Sequence, residues 1–179
     1  MTWMRHLCMF LLVTSTVACA SPKVGYDYDS SANFTAYHTY DWAPGRQEET
    51  GDKRVDNSLV DGRIRTAIGT QLRLKGYTTS LNKRPDFYVV YHLGVKDMMK
   101  GSSTQDYIGD YAHGTFTTIS DIQPYKEGTL LIDIVDAASK QLVWRGSALA
   151  EVDPSMTPEE RNERISTIVH AMFSHFPPK

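Results

Sequence analysis

Histidine and acidic side chains have the widest chemical use in this chain, because they bind metals and transfer protons. Beyond residue 19 the chain has five histidines: His38, His92, His113, His170 and His175. None is paired with a cysteine or another histidine at the spacing that a metal site requires. Only His113 stands among other polar groups, with Asp106, Asp110 and Tyr111 close in sequence. His113 is therefore a candidate for a polar site, with a solvated loop histidine as the alternative.

Two short motifs match functional patterns only in part. Asp27, Asp29 and Ser31 alternate as calcium ligands do, but the glycine and the distal glutamate of a calcium loop are missing. Ser80 and Lys83 have the serine–lysine spacing of penicillin-binding enzymes, whose serine lies at a helix start and needs partner motifs. Here the serine precedes a proline turn and no Lys-Thr-Gly sequence follows. Neither motif predicts a site.

Arg145 is a candidate for gripping an anionic ligand. It lies in the second of two strands, Thr129–Asp136 and Gln141–Val152, which a short polar link joins into an antiparallel hairpin. Side chains of a strand alternate between its two faces, so Trp144 points into the core and Arg145 points away from it. One register of the hairpin places Asp133 directly across from Arg145. The alternative to a ligand site is therefore a cross-strand ion pair.

The elements that position these residues are two helices and five to six strands. Apolar residues recur with the 3.6-residue period of a helix in two stretches. These are Val60, Ile64, Ala67, Ile68 and Leu72, and then Ile165, Ile168, Val169, Met172 and Phe173. Asp56 or Asn57 caps the first helix, and Thr157 opens a capping box for the second. We expect an α+β two-layer sandwich: a mostly antiparallel sheet with both helices packed on one face.

The segment from Lys96 to Glu127 is rich in Gly, Ser, Thr, Asp and Tyr, and its pattern predicts a long irregular loop. Long loops in compact domains are usually functional. Tyrosine and phenylalanine are favoured at contact surfaces because they offer apolar area at little entropic cost. The possible binding residues are Tyr107, Tyr111, His113, Phe116 and Tyr125. We predict either a contact surface or a lid over the sheet.

The first residues have the pattern of an export signal. Arg5 precedes the apolar stretch Leu7–Val17, which ends in small residues. The sequence Thr16-Val17-Ala18-Cys19 resembles the bacterial lipobox, whose cysteine carries the lipid. We predict a signal peptide at residues 1–18, a single domain at 19–179, and membrane attachment through a lipid on Cys19. Ordinary cleavage after Ala18 or Ala20 is the alternative.

The segments together resemble a bacterial lipoprotein family, that of domain of unknown function 4136. The matching stretches are Val24–Asp29, Phe34–Trp42, Arg63–Gly76, Pro85–Tyr91, Gly128–Asp136, Leu142–Gly146 and Phe176–Pro178. The resemblance implies an envelope lipoprotein and carries over no catalytic residue. Ala20 and Ser21, with no aspartate after the cysteine, resemble the sorting signal for the outer membrane. The protein would then face the periplasm.

These observations favour a lipid-anchored, non-enzymatic envelope protein that acts by binding a protein partner, without a cofactor. The alternative is a carrier of a small apolar or lipidic ligand between helices and sheet. A hydrolase built on His113 and the nearby acids is the weakest reading. A nucleic-acid binder is disfavoured, because the net charge is −2 and such proteins carry a basic surplus.

Overall fold

A computed structural model describes residues 22–44, 50–81, 84–108 and 115–179, with 102–108 and 115–122 described as backbone only. The predicted signal peptide and Cys19 lie outside the described residues. The strands are β1 Lys23–Tyr28, β2 Thr39–Trp42, β3 Thr78–Thr79, β4 Phe87–Ile108, β5 Thr115–Asp136 and β6 Leu142–Glu151. The helices are α1 Ser58–Leu74 and α2 Pro158–Phe173. The α+β prediction is confirmed.

The six strands form one sheet in the order β1-β6-β5-β4-β2-β3. Strands β1, β6, β5 and β4 pair antiparallel, which short links such as the β5–β6 turn allow. The chain crosses over through α1 between β2 and β3, and β2 pairs parallel with both β3 and β4. The sheet is thus mostly antiparallel, as predicted, and β1 is an edge strand.

Both helices begin where their capping residues predict. The side chain of Asn57 accepts hydrogen bonds from the backbone N–H groups of Leu59 and Val60. Thr157 and Glu160 form the reciprocal capping box of α2. These bonds satisfy backbone donors that have no partner inside the helix, so the two helix starts are fixed locally.

The core lies between the helices and one face of the sheet. Helix residues such as Ile68, Leu72 and Val169 are fully buried against the strands. At one end the core is a cluster of aromatic rings, which we call the aromatic end. It comprises Tyr37, Tyr77, Phe87, Trp144, Phe173 and Phe176. Trp144 is completely buried, and its indole N–H donates to the carbonyl of His175 at 3.2 Å.

A β-bulge changes the predicted face of one residue. The sequence pattern places Leu142 on the buried face with Trp144, but Leu142 is 43% exposed. Val135 pairs with Leu142, while the neighbouring Ile134 pairs with Trp144. The extra residue Val143 is buried instead. An inserted residue reverses the alternation of side chains on one side of a bulge. A face assignment that assumes strict alternation is therefore wrong for Leu142.

The largest departure from the sequence prediction concerns the segment from Lys96 to Glu127, of which residues 96–108 and 115–127 form strands and not an irregular loop. Strands β4 and β5 each continue for 22 residues, and they remain paired in register from Phe87–Asp136 to Ile108–Thr115. The segment lacks the apolar alternation that usually marks a strand. Backbone pairing between β4 and β5 holds the segment extended. The strand propensities of its residues do not predict this pairing.

Candidate binding surfaces

The outer part of β4 and β5 forms a two-stranded projection, here called the ribbon, of residues 96–108 and 115–127. Its 13 residue pairs span about 40 Å at the usual rise of a strand. Strand β6 pairs with β5 only as far as Glu127. Beyond that point, no other strand in the described ranges pairs with either member of the ribbon. Residues 96–101 and 123–124 are exposed, and residues 125–127 are half-buried, so the β4 side of the base does not pack over the sheet as a lid.

Three of the predicted contact residues lie on the ribbon. Tyr107 and Phe116 occupy directly opposed positions near its outer end, and Tyr125 is opposed to Met98 near its base. Residues directly opposite in an antiparallel pair have neighbouring side chains when they share a face. The structure therefore brings together aromatic positions that are nine residues apart in sequence. Tyr111 and His113 lie outside the described residues.

Charged groups fix the base of the ribbon to the segment that precedes α1. The Lys126 ammonium lies 2.7 Å from an Asp97 carboxylate oxygen and 3.6 Å from Asp52. Asp52 also accepts a bond of 2.9 Å from Arg54 Nε. Hydrogen bonds from Arg54 lower the pKa of Asp52 well below its usual range. Since Asp97 and Arg54 are exposed and Asp52 and Lys126 only half-buried, the cluster contributes little to the stability of the fold.

Arg145 takes part in the ion pair that the hairpin register predicts. Its Nε and Nη2 donate to the two carboxylate oxygens of Asp133 at 2.7 and 2.6 Å, and this raises the pKa of Arg145. Asp133 is 5% exposed although it lies on the face away from the helices. His92 Nε2 lies 3.7 Å from the same carboxylate. Two donors of Arg145 are thus occupied by Asp133, and this geometry favours a structural role over ligand binding.

A cavity of about 170 Å³ opens between the two helices and the end of the sheet opposite the aromatic end. We call it the hollow. Its floor is aliphatic, with Ile64 and Ile168 from the helices and Leu93, Leu130 and Ala148 from the sheet. Among the described residues, none of those that line the hollow is aromatic. This is the position that the sequence analysis considered for an apolar ligand, between helices and sheet.

Four arginines line the hollow together with the aliphatic floor: Arg54, Arg63, Arg161 and Arg164. Arg63 Nε donates to the side-chain carbonyl of Asn162 at 2.7 Å. Arg164 and Arg161 donate to the backbone carbonyls of Glu151 and Pro154 at 3.0 and 2.8 Å. The sequence does not show that these arginines lie together, because they come from two helices and a loop. The basic residues of α1 were the only available signal.

The other sequence motifs do not form a functional site within the part of the chain that the structure describes. Ser80 follows β3 directly, and its backbone N–H donates to the carbonyl of Tyr40 at 2.8 Å. It does not start a helix, and Lys83 lies outside the described residues. Within the described ranges, His, Cys, Asp and Glu side chains form no group of three or more arranged to hold a metal. None of the helices described is long and apolar enough to cross a membrane.

Comparison with known proteins identifies a family and a fold. The model of the family called domain of unknown function (DUF4136) matches residues 24–178. A PDZ domain protein from Parabacteroides distasonis is 15% identical with a TM-score of 0.50, over 87% of this chain and 35% of that protein. This chain thus spans about a third of that structure. No curated protein shows significant similarity.

Two structures of the PelC dodecamer from Paraburkholderia phytofirmans also match. One, a variant of PelC, is 8% identical with a TM-score of 0.46, and the other is 11% identical with a TM-score of 0.42. Both matches cover 86% of this chain and 95% of PelC.

Proposed function

This chain belongs to the DUF4136 family, and from that premise we propose that it is a lipid-anchored protein of the cell envelope. Its task is to bind another protein, and it catalyses no reaction. The lipid is carried by Cys19, and the domain faces the periplasm from the outer membrane. The support for this location is the signal-like sequence at residues 1–18, followed by the lipobox pattern.

The ribbon is the observation that carries the proposal of a protein partner. An isolated two-stranded ribbon is marginally stable in water, and this one extends well beyond the sheet. Its outer strand edges present backbone N–H and C=O groups that an extended segment of another chain can pair with. The aromatic positions 107 and 116 add apolar contact area near the outer end. Strand addition to the ribbon is therefore the binding mode that we propose.

The start of the described chain, three residues after the proposed anchor, lies at the same end of the domain as the ribbon. β1 begins at Lys23, which pairs with Leu149, close to the point where β6 leaves the ribbon. Cys19 precedes Pro22 by three residues, which span about 10 Å at most. The lipid would hold this end of the domain at the membrane surface. The partner is accordingly expected at or in the outer membrane.

Site-specific photo-crosslinking in cells tests the ribbon as the contact element. Met99, on the ribbon, and Leu74, at the end of α1, are matched exposed apolar positions at 76% and 73% exposure. A photoreactive residue at position 99 should give a discrete protein adduct, and the same residue at position 74 should not. Replacing 102–122 by a short Gly/Ser link should abolish the adduct without lowering the melting temperature. Equal labelling from both positions would refute the proposal.

The anchor has a separate test. Cys19→Ser removes the thiol that carries the proposed lipid, so the variant should either accumulate as unprocessed precursor or leave the membrane fraction after alkaline washing. Wild-type processing and unchanged membrane partition of this variant would refute the anchor. That result would leave the ribbon proposal untouched, because the crosslinking contrast between positions 99 and 74 does not depend on the lipid.

A further inference from the structure

We propose that the hollow binds a single-chain anionic amphiphile, such as a medium-chain fatty acid. The alkyl chain occupies the aliphatic floor, and the anionic head group contacts the arginines at the rim. This inference goes beyond the proposed function and rests on neither the ribbon nor the lipid anchor.

The size of the hollow limits what enters it. Its volume is about 170 Å³, whereas an apolar engineered cavity of about 150 Å³ is known to hold one benzene molecule. The floor therefore accommodates about six carbons of a single chain and excludes a second chain beside it. The rest of a longer chain would remain at the opening.

Small residues on the helix-facing side of the strands create this space. Ala148 and Ala150 follow Trp144 and Gly146 along the same face of β6. Gly128 stands opposite Ala150 on β5, and the Val152 side chain lies within 3.0 Å of the place that a Cβ at Gly128 would take. The helices cannot close over it, because Ile64 and Ile168 already pack on the neighbouring core. An apolar ligand would supply the contacts that the lining lacks.

The rim supplies positive charge. Four arginines and two carboxylates, Glu151 and Asp153, line the hollow. Because Arg54 is ion-paired with Asp52 outside the lining, the remaining charges leave a net charge of +1 at the rim. Asp153 is held ionised chiefly by hydrogen bonds from Ser155, and the charges of Arg164 and Arg161 lower its pKa further.

Three of the arginines keep their charge available to a ligand. Arg63, Arg161 and Arg164 bond to uncharged oxygens, and a guanidinium carries five N–H donors. Donors therefore remain for an anionic head group, which a guanidinium binds through a planar, two-pronged geometry.

The aliphatic floor and the arginine rim together select a ligand by its charge as well as by its alkyl chain. A neutral chain of the same length would gain the apolar burial alone, and a cationic amphiphile would meet like charge at the rim. Affinity should therefore fall in the order carboxylate, alcohol, quaternary ammonium for one alkyl chain. A simple unfilled gap in the packing predicts no such order.

The test is calorimetric titration of the full-length Cys19→Ser chain, which carries no lipid, with monomeric decanoate, decanol and decyltrimethylammonium. Decanoate should bind at one site, and the ammonium should bind at least tenfold more weakly. Arg63→Gln should weaken decanoate about tenfold, as expected for losing a hydrogen bond to a charged group. Arg73→Gln, on the same helix but outside the hollow, is the matched control and should bind as the parent does.

A filling variant separates the hollow from other surfaces. Ala150→Leu places aliphatic bulk in the cavity, so it should abolish decanoate binding while the melting temperature is maintained. Equal binding of all three probes, unchanged binding after Arg63→Gln, or unchanged binding in a folded Ala150→Leu protein would overturn the proposal. So would binding to anionic vesicles without binding to monomeric decanoate. The variant with the shortened ribbon should bind decanoate normally, so the two proposals fail independently.

Discussion

The two ends of the same sandwich are packed in opposite ways. At the aromatic end Trp144 lies 5.2 Å from Phe176 and 5.6 Å from Phe173, measured between ring centroids. At the other end the same three strands β4, β5 and β6 enclose the hollow, which is lined by aliphatic and small residues and rimmed by arginine. The aromatic end is filled by the protein's own side chains, whereas the hollow leaves space for a ligand.

The comparison shows that hydrophobic patterning and filling are separate properties of a sequence. Along β6 the helix-facing residues are Trp144, Gly146, Ala148 and Ala150, and all four satisfy the alternation of a half-buried strand. Only Trp144 is large, and the three positions nearer the hollow hold glycine or alanine. Cores tolerate few voids larger than a water molecule, so a persistent void in the fold is a candidate for use.

The largest expected effect tests the filled end. Trp144→Ala should destabilise the domain by about 3–5 kcal/mol, since truncating a buried aromatic loses transfer energy and leaves a cavity. Urea denaturation followed by circular dichroism measures the change. Leu149→Ala, on the open face of the same strand, is the control and should cost far less because Leu149 is half-exposed. Similar costs for the two variants would contradict the assignment of faces.

A smaller loss is expected when the filled end is overfilled. A Cβ atom at Gly146 would lie 2.5 Å from the buried Trp144 ring and 3.1 Å from the Met172 methyl. Gly146→Ala should therefore cost about 1–3 kcal/mol, as overpacking does. Gly62 is an exposed position of α1, and nothing lies within 4 Å of a Cβ atom added there. Gly62→Ala should therefore stabilise the protein by about 1 kcal/mol. The unfolding midpoints of the two variants test this prediction. If Gly146→Ala left the stability unchanged, the packing of the aromatic end would be able to relax around the added methyl group.

The aromatic end also depends on an ionised carboxylate beside it. Asp86 Oδ2 accepts bonds from the backbone N–H groups of His38 and Thr39 and from the Thr39 hydroxyl, at 2.8–2.9 Å. Burial alone would raise the pKa of Asp86, but these bonds outweigh it and the pKa is lowered. This stabilisation is complete above the unfolded pKa of about 4 and is lost as the pH falls through the folded pKa.

Asp86→Asn should therefore lose about 1 kcal/mol at pH 7 and show a shallower decline of stability below about pH 4. Denaturation midpoints measured between neutral and acidic pH provide the test. An unchanged acid slope would mean that other carboxylates dominate, such as Asp136, whose pKa is lowered chiefly by the backbone N–H of Ser139.

The smallest change is expected at the hollow end. Ala150→Leu should be neutral or stabilise by up to about 1 kcal/mol, because filling an existing cavity commonly stabilises a protein. Its contrast with Gly146→Ala, on the same face of the same strand, is the sharpest test of the comparison. A loss of more than about 1 kcal/mol, in the range of overpacking, would show that the hollow is already tight.

Much of the fold is determined locally by the sequence. The cap at Thr157 and the buried stripes of both helices follow from spacing alone, and the structure has them. The sequence also offered Asn57 as one of two caps, and the opposition of Asp133 and Arg145 as one register of the hairpin, and the structure has both. Such features depend on residues within a few positions of one another, or on one short turn. The family resemblance is likewise confirmed over residues 24–178.

Only the tertiary structure decided the rest. Residues 96–108 and 115–127 have no strand pattern, yet pairing between these two segments extends them into the ribbon. The bulge at Val143 moved Leu142 to the surface. The hollow joins arginines of the loop before α1, of α1 and of α2 around residues of three strands. Each of these depends on the sizes and positions of side chains distant in sequence, which no local pattern contains.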